Sequence, residues 1–79
     1  LKETARLMAI VPNDPDAFRL RSSIYKQLKN YPAALKDLDK AITLEPSSIA
    51  YKERADLYSR MGKVEKSKAD LAAARKILE

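Results

Sequence analysis

Seventy-nine residues, 46% hydrophobic and 34% charged with a single glycine, leave room for one small helix-rich domain, and a domain of this size buries only about 60% of its unfolded surface. The chain has no cysteine and no histidine, which excludes disulfides, thiolate or imidazole metal sites, cysteine nucleophiles and histidine general bases. A formal net charge of +5 comes from 16 basic residues interspersed with 11 acidic ones, without a run of five like charges, so it describes a mildly basic solvated surface rather than a nucleic-acid stripe.

In chain order, the apolar cluster Leu7 to Val11 lies in a first expected helix at about 1–11 that Pro12 ends. The cluster is far too short to span a bilayer, and no signal-peptide pattern accompanies it. Beginning at Leu1 rather than Met, the sequence reads as a piece of a longer protein, so its localisation is not readable and a soluble, cytoplasmic chain is only the default. Asp14-Pro15 then offers an N-cap followed by proline at the first helical position. Phe18, Ser22, Tyr25 and Leu28, with Ile24 beside them, form the apolar face of a helix over about 15–29. Asn30-Tyr31-Pro32 breaks it and opens another over about 32–45, whose stripe is Ala34, Leu35, Leu38, Ala41 and Ile42. Pro46 with Ser47-Ser48 ends that helix and caps the next, at about 48–61, striped by Tyr51, Ala55, Tyr58 and Met61. Gly62 supplies a left-handed turn before a last helix at about 64–78. No segment alternates with period two, so an all-α fold of five helices in antiparallel neighbours is expected.

The chain repeats itself. Phe18, Tyr25, Tyr31, Ala34, Leu38, Ala41 and Leu44 recur 33 residues later as Tyr51, Tyr58, Val64, Ser67, Leu71, Ala74 and Ile77. An earlier partial copy, residues 7–12, aligns with residues 41–46 at a spacing of 34. Small residues at fixed places (Ser22, Ala34 and Ala41, then Ala55, Ser67 and Ala74) should mark where helices approach most closely.

This pattern of bulky, small, tyrosine, alanine, leucine, alanine and closing proline (Phe18, Ser22, Tyr25, Ala34, Leu38, Ala41, Pro46) resembles the tetratricopeptide repeat over essentially the whole chain. The resemblance implies one domain, 1–79, of about two and a half hairpins in a right-handed α-α superhelix. Residues 1–12 would be the second helix of a partial repeat, 14–47 a full repeat, and 48–79 a full and terminal repeat. Arg21 and Arg54 depart from the family by standing where a large apolar residue is usual, and Lys29 replaces the usual turn glycine. In the last helix Lys68 and Arg75 replace the apolar Leu35 and Ile42, a polar outer face of the kind that ends a solenoid.

The resemblance also implies that the first helix of each hairpin lines a concave groove holding a partner protein or peptide. Its residues would be Asp16, Arg19, Ser23, Lys26 and Gln27, then Ile49, Lys52, Glu53, Asp56, Ser59 and Arg60. Lys52, Asp56 and Arg60 stand at successive i, i+4 spacings and form a charge ladder. One subclass of the family clamps the carboxylate end of chaperone tails with lysine and asparagine; Arg19, Ser23 and Glu53 occupy the matching positions and do not reproduce that clamp. The implied role is an adaptor, scaffold or co-chaperone-like segment of a longer protein.

No catalytic or cofactor site emerges. A single glycine cannot build a phosphate loop, and Ser22-Ser23 and Ser47-Ser48 have no base to activate them. Asp37 and Asp39, two apart on a helix, point to different faces and read as solvated charges. The tyrosines 25, 31, 51 and 58 read as packing rather than as an aromatic box. Two rivals rank below peptide binding. An RNA-reading helical-hairpin repeat would read only two or three bases with this many repeats. Self-assembly, as a weak homodimer, would use the open N-terminal end at Leu1, Leu7, Met8, Ile10 and Val11. No membrane contact and no cofactor are expected.

Overall fold

A computed structural model describes residues 13–78. Those residues form four helices: α1 (Pro15–Gln27), α2 (Tyr31–Leu44), α3 (Ser48–Arg60) and α4 (Val64–Leu78). They stand against the five expected helices, the first of which falls at 1–11, outside the described residues. The pairing of α1 with α2, and of α3 with α4, makes two helical hairpins, and α2 packs on α3 to join them.

Local chemistry sets each boundary. Asp14 accepts a hydrogen bond from the Asp16 amide at 2.8 Å, Asn30 from Ala33 and Ser47 from Ala50, so each of the first three helices has a side chain satisfying an otherwise orphan N–H. Pro15 and Pro32 sit in first turns, where no helical N–H bond is lost. Both hairpin turns cross the left-handed region, at Lys29 (φ 61°) and Gly62 (φ 76°), 33 residues apart. The turn therefore keeps its geometry even where the glycine is replaced.

All six small residues are buried at helix contacts, Ala34 and Ala41 completely. Close approach is reinforced by one hydroxyl in each hairpin. Ser22 Oγ donates to the Ala34 carbonyl at 2.8 Å, and Ser67 Oγ to the Ala55 carbonyl at 2.9 Å. The two serines occupy opposite members of the same contact, for Ser22 repeats as Ala55 and Ala34 as Ser67. At this contact each hairpin has one hydroxyl, on whichever helix carries the serine, and the bond runs to the other helix.

Leu57, absent from the expected stripe of its helix, is fully buried against Ala34 and Leu38, with Tyr25, Tyr31 and Leu35 around them. Leu28, expected on the apolar face of the first hairpin, is instead exposed, because the helix ends at Gln27 and Leu28 is its C-cap.

Asp37 is a second correction. It is buried, and Arg21 grips it with two bonds of 2.8 and 2.7 Å. One repeat later Arg54 grips buried Asp70 the same way, at 2.8 and 2.8 Å. The arginines that depart from the apolar pattern are therefore matched by carboxylates across each hairpin. Asp39 is exposed, as expected, but not simply solvated: Arg54 Nη1 reaches it at 3.0 Å from the next hairpin. Arg54 also lies over the rings of Tyr51 and Tyr58, at 5.4 and 5.8 Å, and Arg21 over Phe18 at 5.7 Å. Hydrogen bonding to Asp70 raises the Arg54 pKa further above its ordinary value and outweighs the opposing effect of burial. No helix of the described residues is long and apolar enough to cross a membrane.

Candidate functional site: the face of the first and third helices

The first helices of the two hairpins, α1 and α3, carry all eleven residues named for the groove. Side chains link the two helices at two points. Arg19 Nε donates to Glu53 Oε1 at 2.6 Å, and Arg19 Nη1 also reaches Asp16 at 3.3 Å. One turn further along α3, Asp56 receives Lys26 Nζ at 3.2 Å and Arg60 Nε at 3.0 Å. Of the expected ladder, the Asp56–Arg60 rung forms. Among the described residues Lys52 makes no ion pair, because Asp56 turns toward α1 and meets Lys26.

These pairs set the electrostatics. The hydrogen bond to Glu53 holds the Arg19 pKa above its ordinary value. Burial pushes the Asp56 carboxyl up, but the hydrogen bonds from Arg60 and Lys26 outweigh it and hold Asp56 below its usual range. Three cations and three carboxylates of the face are thus already engaged with one another, and an incoming ligand meets a largely neutralised surface.

Ser23 lines an open depression of about 260 Å³ with Asp16, Arg19, Leu20 and Glu53. Leu20 is half exposed there, at 52%, and Ile49 at 57% on α3. Leu20 was not among the expected residues. Its signal was available: it stands four residues after Asp16 and three before Ser23, on the same helix face, off the stripe of Phe18, Ser22 and Tyr25. Gln27, Ser59 and Lys52 are exposed and make no side-chain hydrogen bond among the described residues. A larger hollow of about 430 Å³ lies over the Arg21–Asp37 pair, bordered by Lys36, Lys40 and Thr43. Its floor has little left to offer a ligand, since the donors and acceptors of that pair are used on each other. Among the described residues no acidic cluster is arranged to hold a metal ion.

Two stacked helical hairpins with the same internal contacts at a 33-residue offset define a helical-hairpin repeat protein. Residues 16–48 match the family model of the tetratricopeptide repeat, and the chain carries that repeat. It is 38% identical over 58 residues to tetratricopeptide repeat protein 13 of Homo sapiens. That match takes in 73% of this chain and 7% of the relative's length. No solved structure matches the chain significantly.

Proposed function

We propose that the α1–α3 face is the concave groove of a right-handed α-α superhelix and holds a partner protein or peptide, as an adaptor, scaffold or co-chaperone-like segment of a longer protein. Protein–protein interaction is the general work of this repeat, and the reading is one of binding, without catalysis. The observation that carries it to this face is the depression beside Leu20, an exposed apolar residue flanked by ion pairs that bridge the two hairpins. A ligand suited to it presents an apolar side chain to Leu20 and Ile49 and polar backbone groups to Ser23, Gln27 and Lys52. An acidic tail is a poor match, because Glu53 stands in the groove and already covers Arg19.

The test is selection of peptides on the 79-residue chain from a random library, followed by amide chemical-shift mapping of the winners. Perturbations should cluster at Leu20, Ser23, Ile49 and Lys52, and Leu20→Glu should weaken binding with helicity unchanged by circular dichroism. Perturbations confined to α2 and α4 would overturn the groove assignment.

A further inference from the structure

We propose that the ligand of the α1–α3 face is bipolar: a peptide that sets a lysine over Leu20, beside Asp16 and Glu53, and a carboxylate about three residues away, against Lys26 and Arg60. The proposal rests on the groove reading above and names the chemistry of its occupant. In sum these pairs are neutral, but the charge is divided in place. At the Leu20 end two carboxylates, Asp16 and Glu53, share the single guanidinium of Arg19. At the other end the single carboxylate of Asp56 is shared by Lys26 and Arg60. Each end therefore keeps an uncancelled charge, negative beside Leu20 and positive beside Asp56.

Both ends also keep bonding capacity. Asp16 spends one carboxylate oxygen on Arg19, and its side chain is 82% exposed. Arg60 gives Asp56 only its Nε, which leaves its two terminal nitrogens without a carboxylate among the described residues. Leu20 shares the depression of about 260 Å³ with Asp16 and Glu53, and Arg19 is the one cation lining it among the described residues; Lys52 lies outside the lining. A lysine placed there lays its methylene stem on Leu20 and brings its ammonium to the two carboxylates. A purely apolar side chain would cover Leu20 and leave them unanswered, and an acidic one would be repelled. The spacing follows from the helix: Arg19 and Lys26 stand two turns apart on α1, about 10 Å, which an extended peptide covers in about three residues. Glu53 and Asp56 meet them in the same order along α3, so the two ends line up across both helices. A further hairpin, seated on α4 as α3 sits on α2, would extend this face beside α3 rather than cover it.

The test titrates the full chain, followed by its amide chemical shifts, with short capped peptides of threonine and glutamine at about 50 mM salt, where surface charge is weakly screened. One pair carries a lysine and a glutamate three positions apart, in the two possible orders. The controls carry two lysines, two glutamates, or leucine in place of the lysine. The better of the two mixed orders should bind about fivefold or more tightly than either like-charged peptide and than the leucine peptide, with shifts at both Leu20 and Arg60. Asp16→Lys in the chain should cost the mixed peptide about fivefold and improve the peptide with two glutamates, and Arg60→Glu should improve the one with two lysines, helicity being unchanged in each variant. A leucine peptide that binds at Leu20 as well as the mixed one would overturn the lysine anchor and leave the groove reading standing. Like-charged peptides that match the mixed one, or indifference to Asp16→Lys, would do the same. Shifts confined to α2 and α4 with every peptide, or no binding by any of them, would overturn both.

Discussion

Each hairpin carries one buried carboxylate, Asp37 or Asp70, that is stable there only because a guanidinium fills both of its oxygens. Removing the cation alone strands the charge, whereas removing both partners in favour of packed apolar groups costs little. Arg54→Ala should therefore destabilise the chain by about 3 kcal/mol in urea unfolding, and more than Arg21→Ala, because Arg54 also ties Asp39 of the first hairpin and two tyrosine rings. The double variant Arg54→Leu with Asp70→Leu should recover most of that loss. If it did not, the pair would be contributing stability of its own rather than solving a problem that each partner creates for the other. The turn residue Lys29 gives a second prediction. Its positive φ is strained for any side chain and relaxed for glycine, as Gly62 demonstrates at the matching place. Lys29→Gly should raise stability by about 1 kcal/mol, a gain of several degrees in Tm by thermal denaturation.

At the scale of the element, capping residues, prolines and the Lys29 and Gly62 turns set helix ends within two residues of where the sequence puts them. The periodic small residues mark the contacts correctly, for no side chain larger than serine stands at any of the six places. Ala41 is wholly buried, so Ala41→Phe must push helices apart and should lower the urea midpoint by the equivalent of about 1–3 kcal/mol. An unchanged midpoint would mean that the helix contact at Ala41 is not tight. The stripes themselves were harder to read. Leu57 lies off the stripe marked by Tyr51, Ala55 and Tyr58, yet it is the residue that α3 inserts between the hairpins. A helix between two neighbours needs two apolar faces, and a one-stripe reading finds only the one facing its own hairpin partner.

Across the whole molecule, the two hairpins are held by the Leu57 seam and by charges that cross it, Arg54 to Asp39, Arg19 to Glu53 and Lys26 to Asp56. Asp56 titrates below its ordinary value in the folded state, so on acidification the unfolded chain takes up the proton first. Its contribution is thus present above the unfolded carboxylate value, about 3.9, and is lost as pH falls through the lower folded value. Stability between pH 5 and 8 should be insensitive to Asp56→Asn in shape, while the acid limb of the wild-type profile, followed by urea unfolding at about pH 2 to 5, should be shallower in the variant. An acid limb of the same steepness in both would place the responsible carboxylate elsewhere. The sequence by itself determined that this is an all-α chain built on a 33-residue repeat, and where each described helix begins and ends to within two residues. Those properties are local: a cap, a proline and a period act over one turn or one hairpin and need no knowledge of the neighbour. Only the tertiary structure decided that Arg21 and Arg54 are answered by buried Asp37 and Asp70, that Asp56 turns away from Lys52 to Lys26, and that Leu57 packs between the hairpins on Ala34 and Leu38. Each of these depends on how far two helices approach and which atoms then meet, and residues 16 to 30 apart in the chain carry no mark of that meeting until the helices have packed.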